Sequence, residues 1–285
     1  MNKIVLATRL EAYIGLRSFS SKLLIVAPSL VAALQLLIAK ITETGQESRD
    51  NLLGRSNISD EFGINAYGYF VDGLSTGLTI LGLLLVSFAA YSFSYSRDIG
   101  SVRHLVIRGI SRTTVIIGTL IYIHLLALAS IIALVLSSYF LSGSLWDFGP
   151  IVEDGFELIS ETEIWSEIEL GLRLALLPLP AAIGFGVLIS ALTQSATQAL
   201  STAIGLTLAI DVFKSTLGDL AYYHYANFQP SLLDQSYLKD VSRLVRGYSD
   251  VLVDERFLDF NLWVPLPTAA IFVILTLIAV QRIKL

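Results

Sequence analysis

The residues of this chain that could do chemistry are few and widely spaced. Its three histidines are His104, His124 and His224, and the hydropathy pattern places only the second of them in an apolar run. We expect no two of them to lie close enough to ligate one metal ion. Cysteine is absent, which excludes disulfides and thiolate nucleophiles, and neither G-x-S-x-G nor G-x-x-x-x-G-K-[ST] occurs. The sequence therefore predicts no catalytic, cofactor-binding or metal-binding residue in this chain.

A second group of chemically interesting residues is polar but lies inside apolar runs. An ionisable side chain at the centre of a membrane helix costs about 2.5–3.5 kcal/mol on insertion scales, so each one needs a reason. Asp211 has Lys214 three residues later, which predicts a local ion pair on one helix face. Gln35, Tyr122 and His124 are expected either to line a pathway or to bond a neighbouring helix. The runs hold no series of acids of the kind that proton- or sodium-coupled carriers usually need.

The elements that must position these residues are membrane spans. Of the 285 residues, 54% are hydrophobic and only 15% are charged, whereas soluble domains average about 25% charged. Six apolar runs are long enough to cross a hydrocarbon core of about 30 Å as helices. The expected spans are residues 23–40, 69–95, 114–139, 170–193, 197–216 and 263–281. The predicted fold class is an all-α membrane protein, and Pro178 and Pro180 predict a bend in its fourth span.

Charge divides the segments between the spans into two groups. The group that includes both termini holds two acids and ten basic residues: Lys3, Arg9, Arg17, Lys22, Arg97, Arg103, Arg108, Arg112, Arg282 and Lys284. Residues 140–169 hold eight acids and no Lys or Arg, so the positive-inside rule predicts that this loop is external and both termini are cytoplasmic. Residues 217–262 are predicted to form an external cap, because long loops translocate largely regardless of charge. The net charge of −5 argues against a nucleic-acid partner.

The first 22 residues predict an amphipathic helix. Leu6, Leu10, Tyr13 and Ile14 follow helical spacing among basic residues, which is typical of a helix that lies along lipid headgroups. A disordered basic tail is the alternative.

A shorter amphipathic helix is predicted at residues 98–109, between the second and third spans. Its apolar face would hold Ile99, Val102, Leu105 and Val106, opposite Arg103, His104 and Arg108. Asp98 is placed to cap this helix, Gly109 can end it, and Ser111 can cap the helix that follows.

This region carries a resemblance to a known family. Residues 95–119, YSRDIGSVRHLVIRGISRTTVIIGT, resemble the cytoplasmic segment after the second span in permease subunits of type 2 ABC transporters. The matching positions are Arg97 and Asp98 for a charged pair, Gly100 and Ser101 for a small pair, Leu105 for a leucine, and Ile110, Ser111 and Arg112 for a hydrophobic-Ser-Arg element. Gly109 stands where Pro is usual, and Thr119 where Lys is usual. The layout of six spans with a basic helix before the first is also similar.

The resemblance implies the partners and the mechanism. Two permease copies, identical or related, would associate with two cytoplasmic ATPase subunits, which bind the ATP and magnesium that this chain has no motif to hold. The helix at 98–109 would transmit ATPase closure to a pathway between the copies. The residues implied in the ATPase contact are Arg97, Asp98, Gly100, Ser101, Val102, Arg103, Leu105, Val106, Arg108, Gly109 and Arg112. Most relatives are exporters of the prokaryotic inner membrane, and an external accessory protein would be a further partner.

A membrane scaffold or sensor, with a partner-binding cap at 217–262, is the alternative from another functional class. It predicts no ATPase companion. Lipid, glycan, peptide, drug and ion all stay compatible with the sequence as substrates.

Overall fold

The computed structural model describes residues 3–53, 65–153, 156–232, 236–248 and 255–282, which form a helical bundle. Its helices are α1 (Lys3–Gly15), α2 (Phe19–Leu52), α3 (Ala66–Asp98), α4 (Ser101–Ile107), α5 (Arg112–Leu145), α6 (Glu161–Leu176), α7 (Leu179–Leu192), α8 (Ala196–Phe213), α9 (Tyr237–Leu244), α10 (Glu255–Trp263) and α11 (Pro265–Arg282). Two 3₁₀ segments, Lys214–Tyr223 and Tyr225–Asn227, follow α8.

Six of the described helical stretches are long and apolar enough to cross a membrane, in agreement with the sequence. They are α2, α3, α5, α6 with α7, α8 with the 3₁₀ segment after it, and α10 with α11. The chain is therefore a membrane protein. Several of these helices are longer than their apolar runs, and α2 continues to Leu52 although its run ends near residue 40. The polar residues after Lys40 extend the helix, where Lys40 pairs with Glu43 at 3.2 Å.

Proline and serine set two of the helix boundaries as predicted. The fourth span is interrupted where α6 ends at Leu176 and α7 begins at Leu179, with Pro178 between them. The missing proline N–H explains the break. At the start of α5 the Ser111 hydroxyl accepts a hydrogen bond from the Thr114 N–H at 3.2 Å.

The α3 helix lies at the centre of the bundle and contacts α2, α5, α7, α8 and α9. Small residues bring its backbone close to α7, as they do in many membrane bundles. A Cβ added at Gly186 would lie 2.6 Å from the carbonyl oxygen of Val86, so only glycine permits this approach. Gly77 similarly makes room for Leu134 of α5.

The loop after α5 departs from the all-α prediction. Strands β1 (Ile151–Glu153) and β2 (Phe156–Ile159) pair antiparallel. The acidic residues of this loop suggest water exposure but not strand pairing, so the hairpin was missed. The all-α prediction holds for the bundle alone.

Candidate functional site

The short helix α4 lies within the predicted range and is joined to α3 by a hydrogen-bonded corner. Gly100 forms the corner with a φ of 76°, a left-handed conformation that glycine adopts without strain. Its N–H donates to the carbonyl of Arg97 at 2.9 Å, and the Ser101 hydroxyl donates to the carbonyl of Ser96 at 2.8 Å. The prediction that Asp98 caps α4 is wrong, because Gly100 takes the N-cap position and no side chain caps the helix.

A second left-handed glycine, Gly109, follows α4 with a φ of 78°, which confirms the predicted helix end. The turn is closed by the N–H of Gly109 on the carbonyl of Val106 at 3.0 Å, and by the N–H of Ile110 on the carbonyl of Leu105 at 3.1 Å. The Lys3 ammonium donates to the Gly109 carbonyl at 2.9 Å. Both corners of α4 are thus held by hydrogen bonds.

The apolar face of α4 holds Val102, Leu105 and Val106 as predicted, and it packs against the chain's own bundle. Val102 is only 1% exposed and belongs to the bundle core, against which Val106 also packs. Ile107, which the predicted apolar face omitted, is 74% exposed. Of the four residues on the predicted apolar face, only Ile99 is exposed, because it is the C-cap residue of α3 and lies before the first residue of α4. The outward side of α4 consists of Arg103, His104, Ile107 and Arg108.

The charged pair before α4 binds the turn between α7 and α8. A guanidinium nitrogen of Arg97 donates to the carbonyl of Thr193 at 2.7 Å. The Asp98 carboxylate accepts from the N–H of Ala196, the first residue of α8, also at 2.7 Å. Both side chains are therefore directed at the chain's own backbone.

A buried hydrogen-bond pair lies one turn deeper in the bundle. The Ser94 N–H donates to the Ser190 hydroxyl at 2.8 Å, and the Ser94 hydroxyl lies 2.9 Å from the Ser190 carbonyl. Both serines are fully buried. The ends of α3 and α7 and the start of α8 consequently form one hydrogen-bonded unit next to α4.

Helix α1 packs on α5 close to the same end of the bundle. A Cβ at Gly118 would lie 2.9 Å from Ala7 and 3.0 Å from the backbone of Thr8, so glycine permits the helix crossing. Burial raises the pKa of the Glu11 carboxyl above its ordinary value, and a hydrogen bond with the Thr119 hydroxyl partly offsets this rise. The structure therefore places a helix where the alternative was a disordered tail.

An apolar groove of about 290 Å³ opens between α2, α3 and α8. Its polar contributions come from the hydroxyls of Tyr91 and two serines. The remaining lining residues are Leu23, Leu24, Leu84, Phe88 and Leu200. The groove thus exposes one face of the central helix between two others.

The segment after α8, which belongs to the predicted external cap, turns back into the bundle. Gln229 is 8% exposed, and a Cβ added at Gly82 would lie 1.7 Å from its amide nitrogen. Gly82 lies midway along α3, so the Gln229 amide reaches the centre of the bundle. Tyr225 is buried against Phe185 of α7 and Phe272 of α11, with ring centroids 6.4 and 5.9 Å away. Residues 233–235 and 249–254 of the predicted cap lie outside the described part of the chain.

The predicted ion pair holds this inserted segment. Lys214 Nζ lies 3.0 Å from a carboxylate oxygen of Asp211, and both side chains are buried. The same ammonium donates to the Ser231 hydroxyl at 2.6 Å, while Asp211 accepts from the N–H of Leu232 at 3.1 Å. These bonds compensate the cost of burying two charges and fix the return of the chain towards α9.

The opposite end of α3 is held by side chains. Asp72 forms an ion pair with Arg246 and accepts from the Ser242 hydroxyl at 2.5 Å. The Tyr237 hydroxyl donates to the Glu167 carboxylate at 2.6 Å. Burial and this carboxylate raise the pKa of Tyr237. These contacts attach α9 to α3 and α6.

The other predicted polar residues do not converge on one site. The Tyr122 hydroxyl lies 2.9 Å from that of Ser21 and joins α5 to α2. His124 lies on the exposed side of α5, with Nδ1 2.8 Å from the carbonyl of Leu120 in its own helix. The amide oxygen of Gln35 is buried in α2 and has no hydrogen-bond partner among the described residues. Tyr122 is therefore an interhelix contact.

Comparisons with known proteins give no match. No family model fits the chain, and neither a curated protein nor a solved structure is significantly similar to it. Its function has to be argued from its own residues.

Three features of the structure were not predicted from the sequence, each for a different reason. The exposed apolar side chain of Ile107 was not predicted, because only Arg103, His104 and Arg108 were assigned to the outward face. The pairing of Ser94 with Ser190 joins residues 96 positions apart, and no local pattern signals it. The insertion of Gln229 carries a weak signal, because aromatic residues crowd the polar segment around it.

Proposed function

We propose that this chain is the permease subunit of an ATP-driven transporter of the type 2 ABC class, and that α4 is its contact with a cytoplasmic ATPase. The resemblance at residues 95–119 first suggests this function. The observation that carries it is the outward side of α4, where exposed Ile107 lies among Arg103, His104 and Arg108. An apolar residue rimmed by positive charge suits a groove bordered by acids on a partner protein.

The position of α4 supports a role in transmission. Its hydrogen-bonded corners join it directly to α3 and, through Lys3, to α1. A force applied to α4 therefore acts on the central helix of the bundle. ATP binding and hydrolysis, with magnesium, are assigned to the partner subunit.

The groove between α2, α3 and α8 supports a pathway between two permease copies. A second copy facing this groove would complete a passage along the open face of α3, with Tyr91 at one of its ends. The polar positions Gln35, His124 and Asp211 are not in this groove, so we assign them no contact with substrate. We propose export as the direction of transport.

The distribution of charge supports the orientation. With α4 and both termini in the cytoplasm of a prokaryotic cell, the acidic loop with β1 and β2 and the helix α9 face outward. An external accessory protein would meet that surface, and lipids of the inner membrane would surround the six spans.

The proposed ATPase contact is tested by Ile107→Asp. Since Ile107 is 74% exposed, this change leaves the fold intact, but it places a charge in the contact and should abolish co-purification of the ATPase. Leu52→Asp is the matched control, because Leu52 is 88% exposed at the far end of α2 and should retain the partner.

Two outcomes contradict the proposal. Stoichiometric ATPase with the Ile107→Asp protein would exclude α4 as the contact. Isolation of the native chain without any nucleotide-hydrolysing companion would favour the scaffold or sensor function.

A further inference from the structure

We infer that Asp98 is a positioning residue, which transmits movement of α4 to α8 through the start of that helix. This inference rests on the proposed function, since it assumes that a partner moves α4. It assigns Asp98 a role inside the permease, whereas the sequence resemblance implied a contact with the ATPase.

The geometry at Asp98 is that of a helix cap supplied by a different helix. The N–H of Ala196 begins α8 and has no acceptor within its own helix. Asp98 provides that acceptor at 2.7 Å, and its negative charge complements the positive end of the α8 dipole. Ser195 occupies the ordinary N-cap position, where its hydroxyl accepts from the Gln198 N–H at 3.3 Å.

Arg97 completes the connection on the other side of the turn. Its bond to the carbonyl of Thr193 reaches the residue that ends α7, while Asp98 reaches the residue that begins α8. Two consecutive residues of α3 therefore hold both helices that meet at this turn. The pair of Ser94 and Ser190 fixes α3 to α7 below it.

The corner between α3 and α4 makes Asp98 sensitive to the position of α4. Gly100 and Ser101 both donate to carbonyls of the last turn of α3, which is the turn that carries Asp98. A displacement of α4 accordingly rotates that turn and moves the carboxylate. Since Leu200 of α8 lines the groove, the start of α8 moves a wall of the proposed pathway.

Amide hydrogen exchange in the permease alone tests the cap without any nucleotide. Asp98→Ala should raise exchange at the first turn of α8 roughly fivefold or more, the usual effect of losing a cap, while Asp98→Asn, which keeps an acceptor oxygen, should stay close to native. Unchanged exchange with Asp98→Ala would overturn the inference whatever the protein transports.

Distance measurements in the complex with the ATPase test transmission. The chain has no cysteine, so spin labels can be attached at introduced cysteines. One pair, Ser201→Cys with Ile132→Cys, reports α8 relative to α5, and a second pair, Tyr95→Cys with Ile132→Cys, reports α3. In the native background a non-hydrolysable ATP analogue should shift both distances by about 2 Å or more.

The two Asp98 variants then show whether the movement of α8 depends on this carboxylate. Asp98→Ala should retain the ATPase and the α3 shift but lose the α8 shift, and Asp98→Asn should restore it. An α8 shift that persists in Asp98→Ala, or loss of the ATPase from both variants, overturns this inference and leaves the proposed function standing. Absence of any shift in the native complex overturns the proposed function, and transmission through Asp98 with it.

Discussion

The two ends of α3 are held in opposite ways. At the end near Asp72, charged side chains pair with each other, and Arg246 also lies 5.0 Å from the ring of Tyr69. At the end near Asp98, charged side chains bind backbone groups of the α7–α8 turn. The first end is closed by the chain's own α9, whereas the second leaves the outward side of α4 uncovered.

Aromatic packing reinforces this difference. Tyr69 stacks on Trp146 with ring centroids 3.8 Å apart, and the Trp146 indole donates to Glu43 at 2.6 Å. Next to α4, the main exposed apolar side chains are Ile99 and Ile107. The end near Asp72 is closed by the chain's own side chains, whereas the end near α4 keeps apolar side chains exposed, as the proposed docking site requires.

The largest loss of stability is expected from placing a charge on the inward side of α4. Val102→Asp would bury an unpaired charge in the core and should lower the free energy of unfolding by about 3 kcal/mol or more. Thermal unfolding in detergent would measure it, with Ile107→Asp as the matched exposed substitution that leaves stability unchanged. Equal stability of the two variants would contradict the assignment of faces.

An intermediate loss of stability is expected at the end of α3 near Asp72. Asp72→Ala and Arg246→Ala should each lower the free energy of unfolding by about 2 kcal/mol, because each leaves its partly buried partner without a counter-charge. The double variant should cost less than the sum, with a coupling energy of about 1 kcal/mol. Additive losses of unfolding free energy, measured by denaturant titration, would show that the pair does not hold this end of α3 together.

The smallest effect on stability is expected at the contact of α1 with α5. The raised pKa of Glu11 means that the folded protein holds this proton more tightly than the unfolded chain. The resulting stability is fully present below the unfolded pKa near 4.5 and is lost as the pH rises through the folded value. Glu11→Gln should therefore raise the melting temperature at neutral pH and flatten its pH dependence. An identical pH profile in the variant would show that Glu11 is not buried there.

The sequence predicted the parts of the fold that depend on local chemistry. Length and apolarity determine a membrane helix, so the six spans were found. Pro178, Gly109 and Ser111 mark boundaries through their own backbone or hydroxyl groups, and these were also found. The continuation of α2 to Leu52 was missed, because apolar length does not limit a helix whose polar end lies in water.

Contacts between distant residues could not be predicted in the same way. Asp98 and Ala196 are 98 positions apart, and the local pattern favoured a cap on the nearer helix. Gln229 belongs to a polar segment, which normally indicates exposure to water. Its burial depends on the space at Gly82, a residue whose role becomes visible only once the two segments are together.

The central claim is that the outward side of α4 faces the cytoplasm and is covered by an ATPase. Labelling of Ile107→Cys with a membrane-impermeant maleimide tests both parts, with Ser160→Cys before α6 as the reference for the opposite side. The account predicts that Ile107→Cys reacts only in inverted vesicles and is protected there when the ATPase is bound. Reaction from the cell exterior, or equal labelling with and without the ATPase, would contradict it.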